Sequence, residues 1–102
     1  MDNTINNLKG QYLSLINEQL PHKAKQVSMP VRFNHCFARI VLDNLFEGCW
    51  YEYLSRKLPA YEQLNEEQLV RAIAIAEQML NNPQFVSQLN HNSLRWRGKM
   101  RE

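Results

Sequence analysis

Apolar residues recur at steps of three and four along most of this 102-residue chain. That spacing places them on one side of an α-helix, whereas a half-buried strand would show strict alternation. No segment shows the alternation, so we predict an all-α fold. In the first segment the apolar stripe predicts a helix from about Asn3 to Leu20, and it comprises Ile5, Leu8, Tyr12, Leu15, Ile16 and Leu20.

Pro21 lacks the backbone N–H that would continue this first helix. Residues 21–32 contain a second proline, Pro30, and show no helical period. We therefore expect residues 21–32 to form a connecting loop, which is long for a small helical domain.

A second helix is predicted from Asn34 to about Lys57, and its apolar residues lie on two nearly opposite sides. Either the helix bends near residues 44–48, or it is a central helix that is covered on both faces. We favour the central helix, because the single residue Gly48 need not end a helix.

Two shorter helices complete the prediction. Asn65 and Gln68 have the spacing of a capping box, which starts a third helix over about residues 66–80. Asn82 can cap a fourth helix with Pro83 as its first residue, and residues 90–93 are expected to interrupt it. The predicted core positions include Ile40, Leu45, Ile73 and Leu80.

The expected architecture is a single domain over residues 1–102, an irregular bundle of about four helices with a long central second helix. Residues 97–102 are expected to form a frayed basic tail. The longest apolar runs are far shorter than the roughly 20 residues that cross a bilayer, and the N-terminus lacks the features of a secretory signal. We therefore predict a cytoplasmic protein with no membrane partner.

The two cysteines, Cys36 and Cys49, fit no disulfide framework. On one continuous helix they would lie about 20 Å apart, too far for a bridge. A zinc site or a thiol nucleophile is the alternative, but the chain has no CxxC, HxxxH or glycine-rich turn. We expect reduced thiols that fill the core, and neither a metal nor a cofactor.

A row of polar residues follows the second helix at four-residue spacing: His35, Arg39, Asp43 and Glu47. The histidine and the carboxylates could serve as acid–base groups or metal ligands. The other interpretation is a surface strip in which Arg39 pairs with Asp43. We favour the strip, because an arginine within the row would repel a metal, and we predict no catalytic residues and no enzymatic activity.

Three aromatic residues, Trp50, Tyr51 and Tyr53, crowd one turn of the predicted helix. They cannot all point the same way, so at least one should be exposed or should contact another chain. The main prediction is a binding or regulatory protein that contacts another protein. The predicted partner-binding residues are Trp50, Tyr51, Tyr53, His35, Arg39 and Asp43.

The positive charge is concentrated at the C-terminus, where residues 90–102 hold four Lys/Arg and one Asp/Glu. Arginine and lysine contact phosphates, and tryptophan stacks on bases. The alternative function is therefore a small factor that binds DNA or RNA, although a solvated tail would have the same composition. Its predicted contacts are Arg95, Trp96, Arg97, Lys99 and Arg101, joined by Lys23, Lys25 and Arg32 if these lie on the same side.

Overall fold

The computed structural model describes residues 4–98, and over these residues the chain is a bundle of four helices without strands. Helix α1 covers residues 4–26, α2 covers Asn34–Phe46, α3 covers Glu66–Asn81 and α4 covers Gln84–Trp96. Short 3-10 turns lie at Trp50–Glu52 and Ala60–Gln63. The prediction of an all-α bundle of about four helices is confirmed.

Helix α1 continues through Pro21, so the prediction of a loop over residues 21–32 is wrong for its first part. The α-helical segments Thr4–Ser14 and Leu20–Gln26 are joined by a π-helical turn at Leu15–Gln19. Pro21 lies in the first turn of the second segment, where a missing N–H costs little. The helix ends at Val27, whose backbone is extended.

Helix α2 ends at Phe46, so the predicted helix to Lys57 is wrong. Glu47 adopts a left-handed conformation with φ of 55°, and the N–H of Gly48 donates to the carbonyl of Asp43. A side chain at Gly48 would crowd the ring of Tyr53, because an added Cβ would lie 3.1 Å from the Tyr53 hydroxyl oxygen. The chain therefore turns at the point where the alternative prediction placed a bend.

Although α2 is short, it is central, because it packs against α1, α3 and α4. The buried core includes Ile40, Leu45 and Ile73 as predicted, whereas Leu80 is only partly buried. One hydrophobic cluster joins residues from α1, α2, α3 and α4. Within residues 4–98, no helix combines the length and hydropathy needed to cross a membrane.

The start of α3 is the capping box that the sequence predicts. The Gln68 N–H donates to the Asn65 side chain at 2.8 Å, and the Asn65 N–H donates to the Gln68 side chain at 2.9 Å. Helix α4, in contrast, runs through residues 90–93 without the expected interruption. Asparagine and serine disfavour helices when they bond to the local backbone. Here Asn90 and Ser93 bond to side chains of α2 instead.

Both cysteines are free thiols, as predicted. Cys49 is buried and Cys36 is half-buried. Cys49 lies in extended backbone after Gly48 rather than on a helix, because α2 has already ended.

Replacing Ile40 with alanine tests the central position of α2. Ile40 is fully buried, so Ile40→Ala should lower the free energy of unfolding by about 2–5 kcal/mol through lost burial and the cavity left behind. The control is Val70→Ala at an exposed position of α3, which should change stability by less than about 0.5 kcal/mol. Urea denaturation measures the free energy of unfolding of both variants. Equally small losses of stability would contradict a central position of α2.

Candidate partner-binding site

The carboxylate of Asp43 is fully buried between α2 and α4, and hydrogen bonds satisfy both of its oxygens. Oδ1 accepts from the backbone N–H of Trp50 at 2.9 Å and from Nη2 of Arg97 at 3.1 Å. Oδ2 accepts from the Ser93 hydroxyl and from Nε of Arg97, both at 2.6 Å. Asp43 is thus bound within the chain, and its predicted contact with a partner is not compatible with this position.

Arg39 does not form the predicted surface pair with Asp43. Its Nη1 donates to the Ser93 hydroxyl at 2.7 Å, and its Nη2 donates to the Asn90 side chain at 2.8 Å. The helix turns Arg39 and Asp43 toward α4, so the expected surface strip runs into the protein interior. We call the resulting hydrogen-bonded contact the polar seam; it consists of Arg39, Asp43 and Asn44 of α2 with Asn90, Asn92, Ser93 and Arg97.

Asn44 completes the polar seam at its centre. Its Nδ2 donates to the carbonyls of Ile40 at 2.7 Å and Leu89 at 3.0 Å, and its Oδ1 accepts from Asn92 at 3.2 Å. A polar group that is buried without a partner is costly. None of the buried side-chain nitrogen and oxygen atoms of residues 4–98 lacks a hydrogen-bond partner.

The structure does not bring the ionisable residues of the polar row together. His35 is exposed and stacks on Phe33, with ring centroids 5.8 Å apart, whereas Asp43 is buried and Glu47 lies beyond the end of the helix. Along a helix, His35 and Glu47 would be about 18 Å apart. In the described part of the chain, no three His, Cys, Asp or Glu side chains are grouped so that they could hold a metal ion.

Arg97 is part of the fold rather than of a free tail. Its side chain is 14% exposed, and its hydrogen bond to Asp43 raises the pKa of the guanidinium, which therefore stays charged. The prediction that the frayed tail begins at residue 97 is wrong for this reason. Of the other predicted nucleic-acid contacts, Arg95 is exposed and Trp96 is half-buried, while Lys99 and Arg101 lie outside the described residues.

The three aromatic residues point in different directions, as predicted. The guanidinium carbons of Arg56 and Arg97 lie 4.3 and 5.0 Å from the centroid of the Tyr51 ring. Tyr53 is 57% exposed and stacks on Phe46, with ring centroids 5.1 Å apart. Trp50 is half-buried, and its backbone is fixed by the hydrogen bond to Asp43.

Trp50 lines a groove of about 410 Å³ that we call the Trp50 groove. Its lining is mostly apolar and contains no carboxylate. Three of the six predicted partner-binding residues, His35, Arg39 and Trp50, line it, whereas Tyr51 and Tyr53 do not. The full lining is Tyr12, Leu13, Ile16, Asn17, His35, Ala38, Arg39, Leu42, Trp50, Leu58, Pro59, Ala60 and Tyr61.

Sequence reasoning missed the wall that segment 58–61 contributes to the Trp50 groove. Leu58 is 59% exposed at its edge, and Tyr61 stacks on Tyr12 with ring centroids 6.4 Å apart. Tyr12 lines the same groove, and burial raises the pKa of its hydroxyl. The sequence contained one sign of this wall. Leu58 is a large apolar residue that precedes Pro59, and it belongs to none of the apolar stripes predicted for the helices.

Comparison with known protein families, curated proteins and solved structures finds no match for this chain. The function proposed below therefore depends on the geometry of the described residues alone.

Removing the Asp43 carboxylate should strongly destabilise the fold. Asp43→Ala leaves Arg97 without its partner in a largely buried position, and breaking a buried ion pair from one side costs about 3–5 kcal/mol. Urea denaturation measures the loss. The matched control is Glu62→Ala, which removes the more exposed ion pair with Lys9 and should cost no more than about 1 kcal/mol. Similar losses for the two variants would show that the polar seam does not stabilise the fold.

Proposed function

We propose that this chain is a non-enzymatic binding protein that holds another protein in the Trp50 groove. The observation that carries the proposal is the convergence of His35, Arg39 and Trp50, which come from two separate parts of the chain, on one apolar groove. Leu58 adds an exposed apolar side chain at the edge of the same groove.

The chemistry of the groove suits the side chains of a protein partner. Tryptophan, tyrosine and arginine are enriched at the energetic centres of protein interfaces, where apolar residues enter pockets that exclude water. The side chains of this kind that line the Trp50 groove are Trp50, Tyr61 and Arg39, together with Tyr12. Its volume of about 410 Å³ leaves room for a few apolar side chains rather than for a whole domain.

The groove is also held in place before a partner arrives. The Trp50 backbone is bonded to Asp43, and the guanidinium of Arg39 is bonded to Ser93 and Asn90. Side chains that are already fixed lose less conformational entropy on binding. A binding role therefore accounts for the polar seam as a support for the groove.

The nucleic-acid alternative has less support from the described residues. Arg97 is engaged by Asp43, so Arg95 and Trp96 are the predicted tail contacts that remain within residues 4–98. Lys25 and Arg32 flank the N-terminal end of α2, whereas Arg97 contacts Asp43, which lies about 13 Å further along that helix from Asn34. Lys25 and Arg32 therefore lie at a different place along α2 from Arg97.

Replacing Leu58 with aspartate tests the proposed function. Partners are captured from nuclease-treated extract of the native cells, and the purified partner is then titrated calorimetrically. Leu58→Asp places a charge at an apolar edge and should weaken binding about 30-fold or more, as expected for an interface centre. Val70→Asp, at an exposed position of α3, makes the same chemical change and should leave affinity within about threefold.

Both substitutions are at exposed positions, so thermal melting should show an intact fold. A purified partner that binds Leu58→Asp and the wild type equally would overturn the proposal. Loss of every captured protein on nuclease treatment would favour the nucleic-acid alternative instead.

A further inference from the structure

A second and larger groove, which we call the Arg32 groove, lies between the C-terminal part of α1 and the connector to α2. Its volume is about 710 Å³, within the range of ligand sites. Its walls are largely apolar, with contributions from Pro21, Val27, Met29 and Phe33. The side chain of Phe33 is 63% exposed, so its ring offers apolar surface to a bound molecule.

The charged side chains of the Arg32 groove are both cations, Lys25 and Arg32. Neither one makes an ion pair with any residue of the described range 4–98, in which Lys9 pairs with Glu62 and Arg97 pairs with Asp43. Two cations beside apolar walls therefore have no counter-charge from this part of the chain.

The excess of basic over acidic residues extends along the surrounding sequence. Residues 19–42 hold four Lys/Arg and no Asp/Glu, whereas the rest of the chain holds eight Lys/Arg and ten Asp/Glu. Within residues 17–34, which supply the groove lining, Glu18 is the one acidic residue, and it does not line the groove. A molecule with negative charges would be attracted to this segment.

We propose that the Arg32 groove binds an acidic amphipathic segment of a partner protein. Carboxylates of that segment pair with Lys25 and Arg32, while its apolar side chains cover Val27 and Phe33. Aliphatic walls favour such a segment over a nucleic acid, because unpaired bases need aromatic rings on which to stack and Phe33 is the one aromatic residue of the lining.

The two grooves adjoin each other, so one partner can occupy both. Asn17 lines both grooves, and its Oδ1 accepts from Asn34 at 3.1 Å. The rings of Phe33 in one groove and His35 in the other are stacked. This inference depends on the proposed function in that a protein partner supplies the segment, but it concerns different residues and can fail separately.

The test is a nuclear magnetic resonance titration of the full-length, ¹⁵N-labelled chain with synthetic peptides. The first peptide is an amphipathic helix of leucine, alanine and glutamate, and the second has lysine at every glutamate position. The glutamate peptide should bind saturably, should shift the amide signals of residues 22–34 other than Pro30, and should bind more weakly as salt is raised. The lysine peptide should not bind.

Charge reversal shows whether Lys25 and Arg32 supply the attraction. The double variant K25E/R32E should bind the glutamate peptide at least about tenfold more weakly and should gain affinity for the lysine peptide. The control K23E/R71E makes the same change in net charge outside the groove and should stay within about threefold of the wild type. If K25E/R32E melts early, K25Q/R32Q replaces it with the same expected loss.

Phe33→Ala tests the contribution of the apolar contacts and should weaken binding of the glutamate peptide about tenfold. Phe85→Ala removes an exposed phenylalanine from α4, outside the groove, and should leave binding unchanged.

No saturable binding of the glutamate peptide at concentrations up to ~1 mM would overturn the proposal. Equal losses in the two double variants would also overturn it, as would binding of a single-stranded oligonucleotide that displaces the peptide. Leu58→Asp should bind the glutamate peptide normally, so failure here is distinct from failure of the Trp50 groove.

Discussion

The buried ion pair between Asp43 and Arg97 is the interaction on which most of the bundle depends. A carboxylate removed from water is expensive unless charge and hydrogen bonds compensate it. Compensation here needs Arg97 and Ser93 from the end of the chain and the backbone N–H of Trp50. The carboxylate is therefore satisfied only when α4 is docked and the chain has turned after Gly48. One side chain couples three parts of the molecule.

This coupling explains how a short helix supports a binding surface. Arg39 and Asp43 face α4, while His35 and Ala38 line the Trp50 groove on another face of α2. The grooves described above contain no residue of α4. Helix α4 nevertheless affects the Trp50 groove, because it holds the carboxylate that fixes the Trp50 backbone. Asn90 and Ser93 of α4 also bond to Arg39, which lines the groove. Substitutions in α4 should thus alter partner binding through the position of that turn and through the position of Arg39.

The sequence predicts those elements that local chemistry determines. The apolar stripe of α1 and the pair Asn65 and Gln68 act within one or two helical turns, and both features are as expected. The end of α2 is different, since Glu47 adopts its left-handed conformation where Asp43 and the ring of Tyr53 hold the next residues. These contacts join residues that are not spaced like neighbours on a helix, so the pattern of the sequence does not predict them. The residues of the Trp50 groove show the same limit. The sequence indicated His35, Arg39 and Trp50 as binding candidates from their residue types, whereas Leu58 comes close to them only because the chain turns after α2.

The main effect of the polar seam is to specify the position at which α4 docks on α2, rather than to strengthen the contact between the two helices. The fully buried residues of α4 are Val86 and Ser93, so its apolar face is too small to select one docking position by packing alone. Asn90, Ser93 and Arg97 follow each other at steps of three and four, and each is bonded to a particular partner on α2. A shift of α4 by one turn would leave several of these groups buried without partners, at a cost of about 1–3 kcal/mol for each neutral group. Buried hydrogen bonds of this kind specify position because the alternatives are so unfavourable. The geometry of the Trp50 groove is therefore set in part by the polar contacts between α2 and α4, through Arg39, which lines the groove, and through Asp43, which fixes the Trp50 backbone.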